Sequence, residues 1–108
     1  MKLYIGGLCQ GQEVLARREN PGAALLTEFH TVIREKLSAG EDTLAYALRL
    51  CAEQPELVVV SDEVGSGVVP ISKEERLWRE AVGRALCVVA EHAESVTRVM
   101  CGIGVRLK

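Results

Sequence analysis

At 108 residues the chain has room for a single domain, one long enough to bury roughly two-thirds of its unfolded surface. It is 48% hydrophobic and 26% charged, the balance of an ordinary soluble globular protein. A formal net charge of -2 and only four aromatic residues (Tyr4, Phe29, Tyr46 and Trp78) argue against nucleic-acid and anionic-membrane partners, since neither phosphate attraction nor base stacking is provided for.

The cysteines, Cys9, Cys51, Cys87 and Cys101, contain no CxxC pair, so neither a disulfide framework nor a structural zinc site is expected. Reduced thiols suit a cytoplasmic protein. Three of them are expected to pack as small apolar groups, with Cys9 the exposed exception. The chain opens without the basic-apolar-small order of a signal peptide, and no apolar run approaches the ~20 residues of a membrane span.

The first predicted element is a buried strand from Lys2 to Ile5, broken by Gly6-Gly7. A short helix follows from Gln12 to about Arg18 and stops at Asn20-Pro21-Gly22. Ala23 to Leu26 reads either as a second strand or as the first turn of the next helix. That helix carries Phe29, Ile33 and Leu37 at a spacing of four and ends at Gly40. Asp42 caps another, with an expected apolar face of Leu44, Ala45, Leu48 and Cys51.

Beyond Pro55, the run Leu57-Val58-Val59-Val60 lacks polar alternation, as in a parallel strand covered on both faces. Ser61 to Pro70 reads as a loop. Ser72 and Glu75 form a capping box at the head of the longest helix, whose expected apolar positions Leu77, Ala81, Leu86, Val89 and Ala90 carry it to about Ala93. A last strand spans Val96 to Met100, then Gly102-Ile103-Gly104 and a short extended tail from Val105 to Leu107. Strands alternating with helices predict an α/β fold with a mostly parallel sheet.

Two loops carry candidate chemistry. Gly6, Gly7, Leu8, Cys9, Gln10, Gly11, Gln12 and Glu13 follow a strand and open a helix, the setting of a phosphate-binding P-loop. In such a loop backbone N–H groups and the helix N-terminus hold the phosphates, a lysine reaches them, and a hydroxyl holds magnesium. Here Gln12 stands at the lysine position and Glu13 at the hydroxyl position. Gln12 can donate hydrogen bonds but brings no charge, while a carboxylate beside phosphates costs on the order of a few kcal/mol in a partly buried site. These residues alone fit either a weakened cradle or a tight turn that merely joins strand to helix.

The second loop, with Asp62, Glu63, Val64, Gly65, Gly67 and Pro70, follows the buried strand at the edge where ligands of open sheets bind. Asp62 and Glu63 fit either a metal-binding or basic role or an acidic surface loop. Arg79 and Arg84 on the long helix fit a phosphate contact or a solvated face, on which Arg76–Glu80 and Glu80–Arg84 stand at i,i+4 spacing. His30 and His92 stand singly, which favours structural roles for both.

The segments VVVSDEVGSGVVP, RLWREAVGRALCVVAEHAESV and VMCGIGVRLK, in that order, resemble the C-terminal half of the adenosylcobinamide kinase/adenosylcobinamide-phosphate guanylyltransferase family. The motifs are EVGxGxVP (Glu63, Val64, Gly65, Gly67, Val69, Pro70), the helix with Arg76, Arg79, Glu80, Gly83 and Arg84, and the closing GIGVRLK. The opening IGGLCQGQ is similar to that family's first strand and P-loop. The resemblance implies a RecA-like P-loop fold, a trimer, GTP or ATP with magnesium, and a corrinoid (cobinamide) substrate. It further implies phosphorylation of the cobinamide hydroxyl and transfer of GMP through a guanylylated histidine, with Glu63 as the candidate catalytic residue.

The chain departs from that pattern in four places. Gln12 and Glu13 replace the lysine and serine, and the segment that bears the guanylylated histidine is largely absent. The acidic strand-end position is occupied by Thr27, with Glu28 next to it, and Ala85-Leu86 stand where the family has Asn-Gln. The expectation is therefore a family member with reduced or lost activity, or a non-catalytic scaffold that binds a nucleotide, a corrinoid or a partner.

Overall fold

The computed structural model describes residues 1–64 and 72–108. Its elements are β1 (Lys2–Gly6), α1 (Gln12–Glu19), β2 (Leu25–Leu26), α2 (Phe29–Ser38), α3 (Thr43–Glu53), β3 (Val58–Asp62), α4 (Lys73–His92), β4 (Ser95–Met100) and β5 (Ile103–Arg106). The strands form one sheet in the order β2-β3-β1-β4-β5, parallel except for the β4–β5 pair. The expected α/β architecture with a mostly parallel sheet is present.

β3 lies between β2 and β1, and Val58, Val59, Val60 and Ser61 are all buried. That interior position explains its unbroken β-branched run. Ser61 and Asp62, expected in a loop, continue this strand by pairing with Ile5 and Gly6 of β1. Of the loop expected beyond them, Gly65, Gly67, Val69 and Pro70 lie outside the described residues. The ambiguous segment before α2 resolves as β2, a two-residue strand on β3.

The sheet is covered unequally. α4 and its neighbours α2 and α3 enclose the larger core, in which Leu3, Phe29, Ile33, Val59, Val82 and Val89 are almost wholly buried. In the smaller core Tyr4, Leu15, Ala16, Val58, Val60 and Val99 pack around α1. Tyr4 extends this smaller core into a polar chain. Lys2 Nζ donates to Asn20 Oδ1 (3.0 Å), Asn20 Nδ2 to Tyr4 Oη (3.0 Å), and Tyr4 Oη to Glu19 (2.8 Å).

The structure corrects several details. In α3 the buried positions are Ala47, Leu50 and Cys51, whereas Leu44 and Leu48 face outward. In α4 they are Val82, Ala85 and Val89. Leu77 is exposed, and Ala81, Leu86 and Ala90 are only partly covered. Both helices are apolar over more than one face, so their neighbours decide which stripe turns inward. Cys9, Cys87 and Cys101 are all exposed, and only Cys51 is buried. The tail expected after the last strand is an edge strand, β5, joined to β4 through Cys101 (φ 52) and Gly102 (φ 76).

Ser72 caps α4 by accepting from the Glu75 N–H (3.2 Å), but the Glu75 carboxylate turns to Arg34 (3.0 Å) instead of completing a box. No helix among the described residues is long and apolar enough to cross a membrane.

Candidate functional site

β1 and β3 end side by side, with Gly6 opposite Asp62. This is the carboxyl edge of the parallel strands, where backbone turns leave room for ligands. From Gly6 the chain passes through Cys9 (φ 59) and Gly11 (φ 89) into α1. Left-handed backbone of this kind suits glycine and aims successive N–H groups into a concavity. Gly11 is the N-cap of α1 and no side chain caps the helix, so its first-turn N–H groups face outward unpaired by side chains. The loop is clasped from outside by the β4–β5 turn. Gly102 N–H donates to the Gln10 carbonyl and Cys101 N–H to Gln10 Oε1, both at 2.8 Å.

Gln12 does not extend into the loop. Its side chain is buried beneath the turn, where Nε2 faces the carbonyls of Gly6 (3.2 Å) and Gly7 (3.1 Å) and Asp62 Oδ1 (2.7 Å). Three acceptors around one end of the amide identify that end as nitrogen. Among the described residues, Oε1 is buried without a hydrogen-bond partner. The donor expected to face a phosphate is thus committed to the loop's own backbone. Glu13 points to solvent and pairs with Arg17 (3.3 Å). Leu8, 77% exposed, and Val14, 68% exposed, give the loop an apolar lip.

Asp62 also meets His30, for which the sequence favours a structural role. Asp62 N–H donates to His30 Nδ1 (3.1 Å), so the neutral ring carries its proton on Nε2, and Nε2 lies 3.5 Å from Asp62 Oδ2. Trp78 Nε1 donates to the His30 carbonyl (2.9 Å) and anchors this turn of α2 to α4. His30 stands two residues beyond Glu28, whose φ of 53 makes the sharp turn out of β2. The signal that could have found it is its place just past a parallel strand, at the same edge as the glycine loop.

Two cavities flank the pair. One of about 250 Å³ is bounded by Leu8, Gly11, Gln12, Glu28, His30 and Asp62. Another of about 320 Å³ includes Leu8, His30, Asp62, Glu63, Trp78 and Arg79. The structure therefore brings Arg79 and Glu63 beside the loop. Glu63 donates its N–H to the Gly6 carbonyl (2.8 Å) and holds its carboxylate 3.3 Å from Arg98. Val64 packs against the larger core. Arg84 lies a turn beyond Arg79, exposed, in an ion pair with Glu80. The arrangement can accept an anion on backbone N–H groups and can hold a proton between His30 and Asp62. Among the described residues, no group of three or more His, Cys, Asp or Glu side chains gathers.

A family model described as cobinamide kinase / cobinamide phosphate guanyltransferase matches residues 12–107. The chain is 35% identical over 69 residues to the bifunctional adenosylcobalamin biosynthesis protein CobU of Salmonella typhimurium strain LT2, over 63% of this chain and 38% of that protein. It is 33% identical over 79 residues to the protein of the same name from Escherichia coli strain K12, over 73% of this chain and 42% of that protein. The matches thus span about two-fifths of the length of these curated relatives. With a P-loop-type sheet, a glycine loop at its carboxyl edge and a family match over nearly the whole chain, this protein belongs to the cobinamide kinase / cobinamide phosphate guanyltransferase family.

Proposed function

We propose that this chain is a shortened family member that accepts the phosphates of GTP or ATP at the Gly6–Glu13 loop, with reduced or lost kinase and guanylyltransferase activity. The observation that carries this reading is the burial of Gln12. At the position of the phosphate-reaching lysine stands an amide bonded to Gly6, Gly7 and Asp62. Among the described residues, the cavity beside it is bounded by Glu13, Glu28 and Asp62 and by no lysine or arginine. Bound phosphates would rest on the loop N–H groups and the α1 N-terminus, with Arg79 at the neighbouring cavity as the basic group beside them. Glu63 and the His30–Asp62 pair are the candidates to move a proton. Magnesium would arrive with the nucleotide phosphates, since Glu13 stands in place of the loop's hydroxyl ligand and pairs with Arg17.

A second reading is a scaffold that binds a corrinoid or a partner subunit without turnover. The exposed apolar lip of Leu8 and Val14 favours it, since a large flat ligand or a protein surface would cover such residues. A cytoplasmic setting and a homo-oligomer, a trimer in the resemblance, belong to the same proposal.

Calorimetry with GTP, ATP and GMP, each with magnesium, tests the first reading. Binding that strengthens at least tenfold in the double variant Gln12→Lys, Glu13→Ser supports it, and no heat with any nucleotide refutes it. Formation of phosphorylated or GDP-linked cobinamide above the level of a Gly11→Val control would exclude the scaffold reading.

A further inference from the structure

Cys9 and Cys101 are far apart in the chain and close in the fold. Gln10 joins their segments. Its carbonyl accepts from Gly102 N–H and its Oε1 from Cys101 N–H, both at 2.8 Å, and the Cys101 bond spans 91 positions of sequence. Beside this clasp Gly11 meets Gly102, where a Cβ on Gly11 would lie 3.4 Å from the Gly102 Cα. The two backbones thus touch, and both cysteines, which are exposed, border one cavity of about 340 Å³.

Both cysteines also hold positive φ, 59 at Cys9 and 52 at Cys101. Left-handed backbone imposes on a residue with a Cβ a strain that glycine escapes. A two-residue hairpin turn with positive φ ordinarily takes Asn, Asp or Gly at the place that Cys101 fills. Cysteine therefore stands at both positions against the local preference, and the property the two share is the thiol. Strain of this kind collects where a segment has a function. Cys87 provides the contrast: it is also exposed, but it stands in the helical backbone of α4, away from the loop and the hairpin.

We propose that Cys9 and Cys101 form a reversible disulfide that ties the tip of the glycine loop to the β4–β5 hairpin. The oxidant is a small disulfide such as oxidised glutathione. One cysteine loses its proton to solvent, and its thiolate attacks a glutathione sulfur, forming a mixed disulfide and releasing one glutathione thiolate. The second cysteine, as its thiolate, attacks the protein sulfur of that mixed disulfide and expels the other glutathione. Two electrons pass from the cysteine pair to the glutathione disulfide, and the two expelled thiolates take up the two protons. Arg18, on the rim of the same cavity, offers a positive charge to the carboxylates of the approaching tripeptide.

A disulfide holds its Cα atoms roughly 4.4–6.8 Å apart, so bonding draws the loop tip in against the hairpin. Cys9 also borders the cavity beside Gln12, His30 and Asp62, and the movement takes it from that cavity toward the other. The loop is stiffened as a result. On the phosphate-binding reading above, a nucleotide would then meet a loop unable to reshape around it, whereas the bond itself depends on no nucleotide. With both ends exposed the disulfide stays open to reduction and acts as a switch.

The test incubates the full chain in glutathione buffers of graded oxidised-to-reduced ratio and digests it with trypsin without reduction. Trypsin leaves each of the four cysteines in its own peptide. The expected product is a peptide pair joined through Cys9 and Cys101, from a chain that keeps single-chain mass, and dithiothreitol separates it. Cys9→Ser and Cys101→Ser each abolish the pair, and Cys87→Ser leaves it. Amide exchange over residues 6–13, measured without nucleotide, slows at least tenfold in the oxidised chain and recovers on reduction. Recovery of Cys9 and Cys101 only as separate glutathione adducts, or only in cross-links between chains, overturns the proposal, as does a loop that exchanges equally fast in both states.

Discussion

The two faces of the sheet differ in how they are held. On one, α2, α3 and α4 close a wide apolar core around Phe29, Ile33 and Val59. On the other, the eight-residue α1 covers a narrower core, helped by the Lys2–Asn20–Tyr4–Glu19 chain and by Gln12 beneath the glycine loop. The first face rests on dispersion and water exclusion, the second largely on directional bonds between polar groups. The candidate site sits where they meet, since Gln12 comes from the thin side, His30 from the thick side, and both reach Asp62.

The largest expected effect comes from the thick side. Phe29→Ala empties a fully buried site and should lower stability by about 3–5 kcal/mol, enough to unfold a marginal domain, as read by urea denaturation. On the thin side, Gln12→Ala strips the loop carbonyls and Asp62 of a buried donor and should cost roughly 1–3 kcal/mol. Hydrogen exchange should then show lost protection in α1 and the loop, with α3 and α4 unchanged. Uniform loss across both faces would abolish the distinction drawn above.

Alkaline titration sharpens it. Burial pushes the Tyr46 phenol above its ordinary 10.0 and the Cys51 thiol above 9.0, both on the thick side. Burial, then the hydrogen bond to Glu19, does the same for Tyr4 on the thin side. The folded chain holds these protons more tightly than the unfolded one, so their stabilisation is complete below about pH 9 and is lost as pH rises further. Melting temperatures measured from pH 8 to 11 should fall, and Tyr4→Phe should flatten part of that fall. The smallest effect is kinetic: Cys9, Cys87 and Cys101 should react rapidly with a disulfide reagent while Cys51 lags.

Much of this molecule was legible in its sequence because the strong signals are local. Two were clearest. The run from Leu57 to Val60 lacks alternation and so required cover on both faces, and the Asp42 carboxylate caps α3 through Leu44 and Ala45. The inward stripe of α3 was not legible, since Leu44-Leu48-Cys51 and Ala47-Leu50-Cys51 are comparably apolar and only the packing partner distinguishes them. The glycine loop was recognisable by its spacing, yet the fate of Gln12 depends on Asp62, fifty positions away. His30 escaped for the same reason, because nothing beside it in the chain announces the carboxylate it meets.

The clasp between Gln10 and the Cys101–Gly102 turn joins the loop to the hairpin that ends in β5. A ligand that reshapes the loop would act on these two bonds. Linkage then makes the geometry of the turn and the affinity of the loop for its ligand depend on one another. Nucleotide titrations of a Gln10→Ala variant, which loses the side-chain half of the clasp, would expose that coupling.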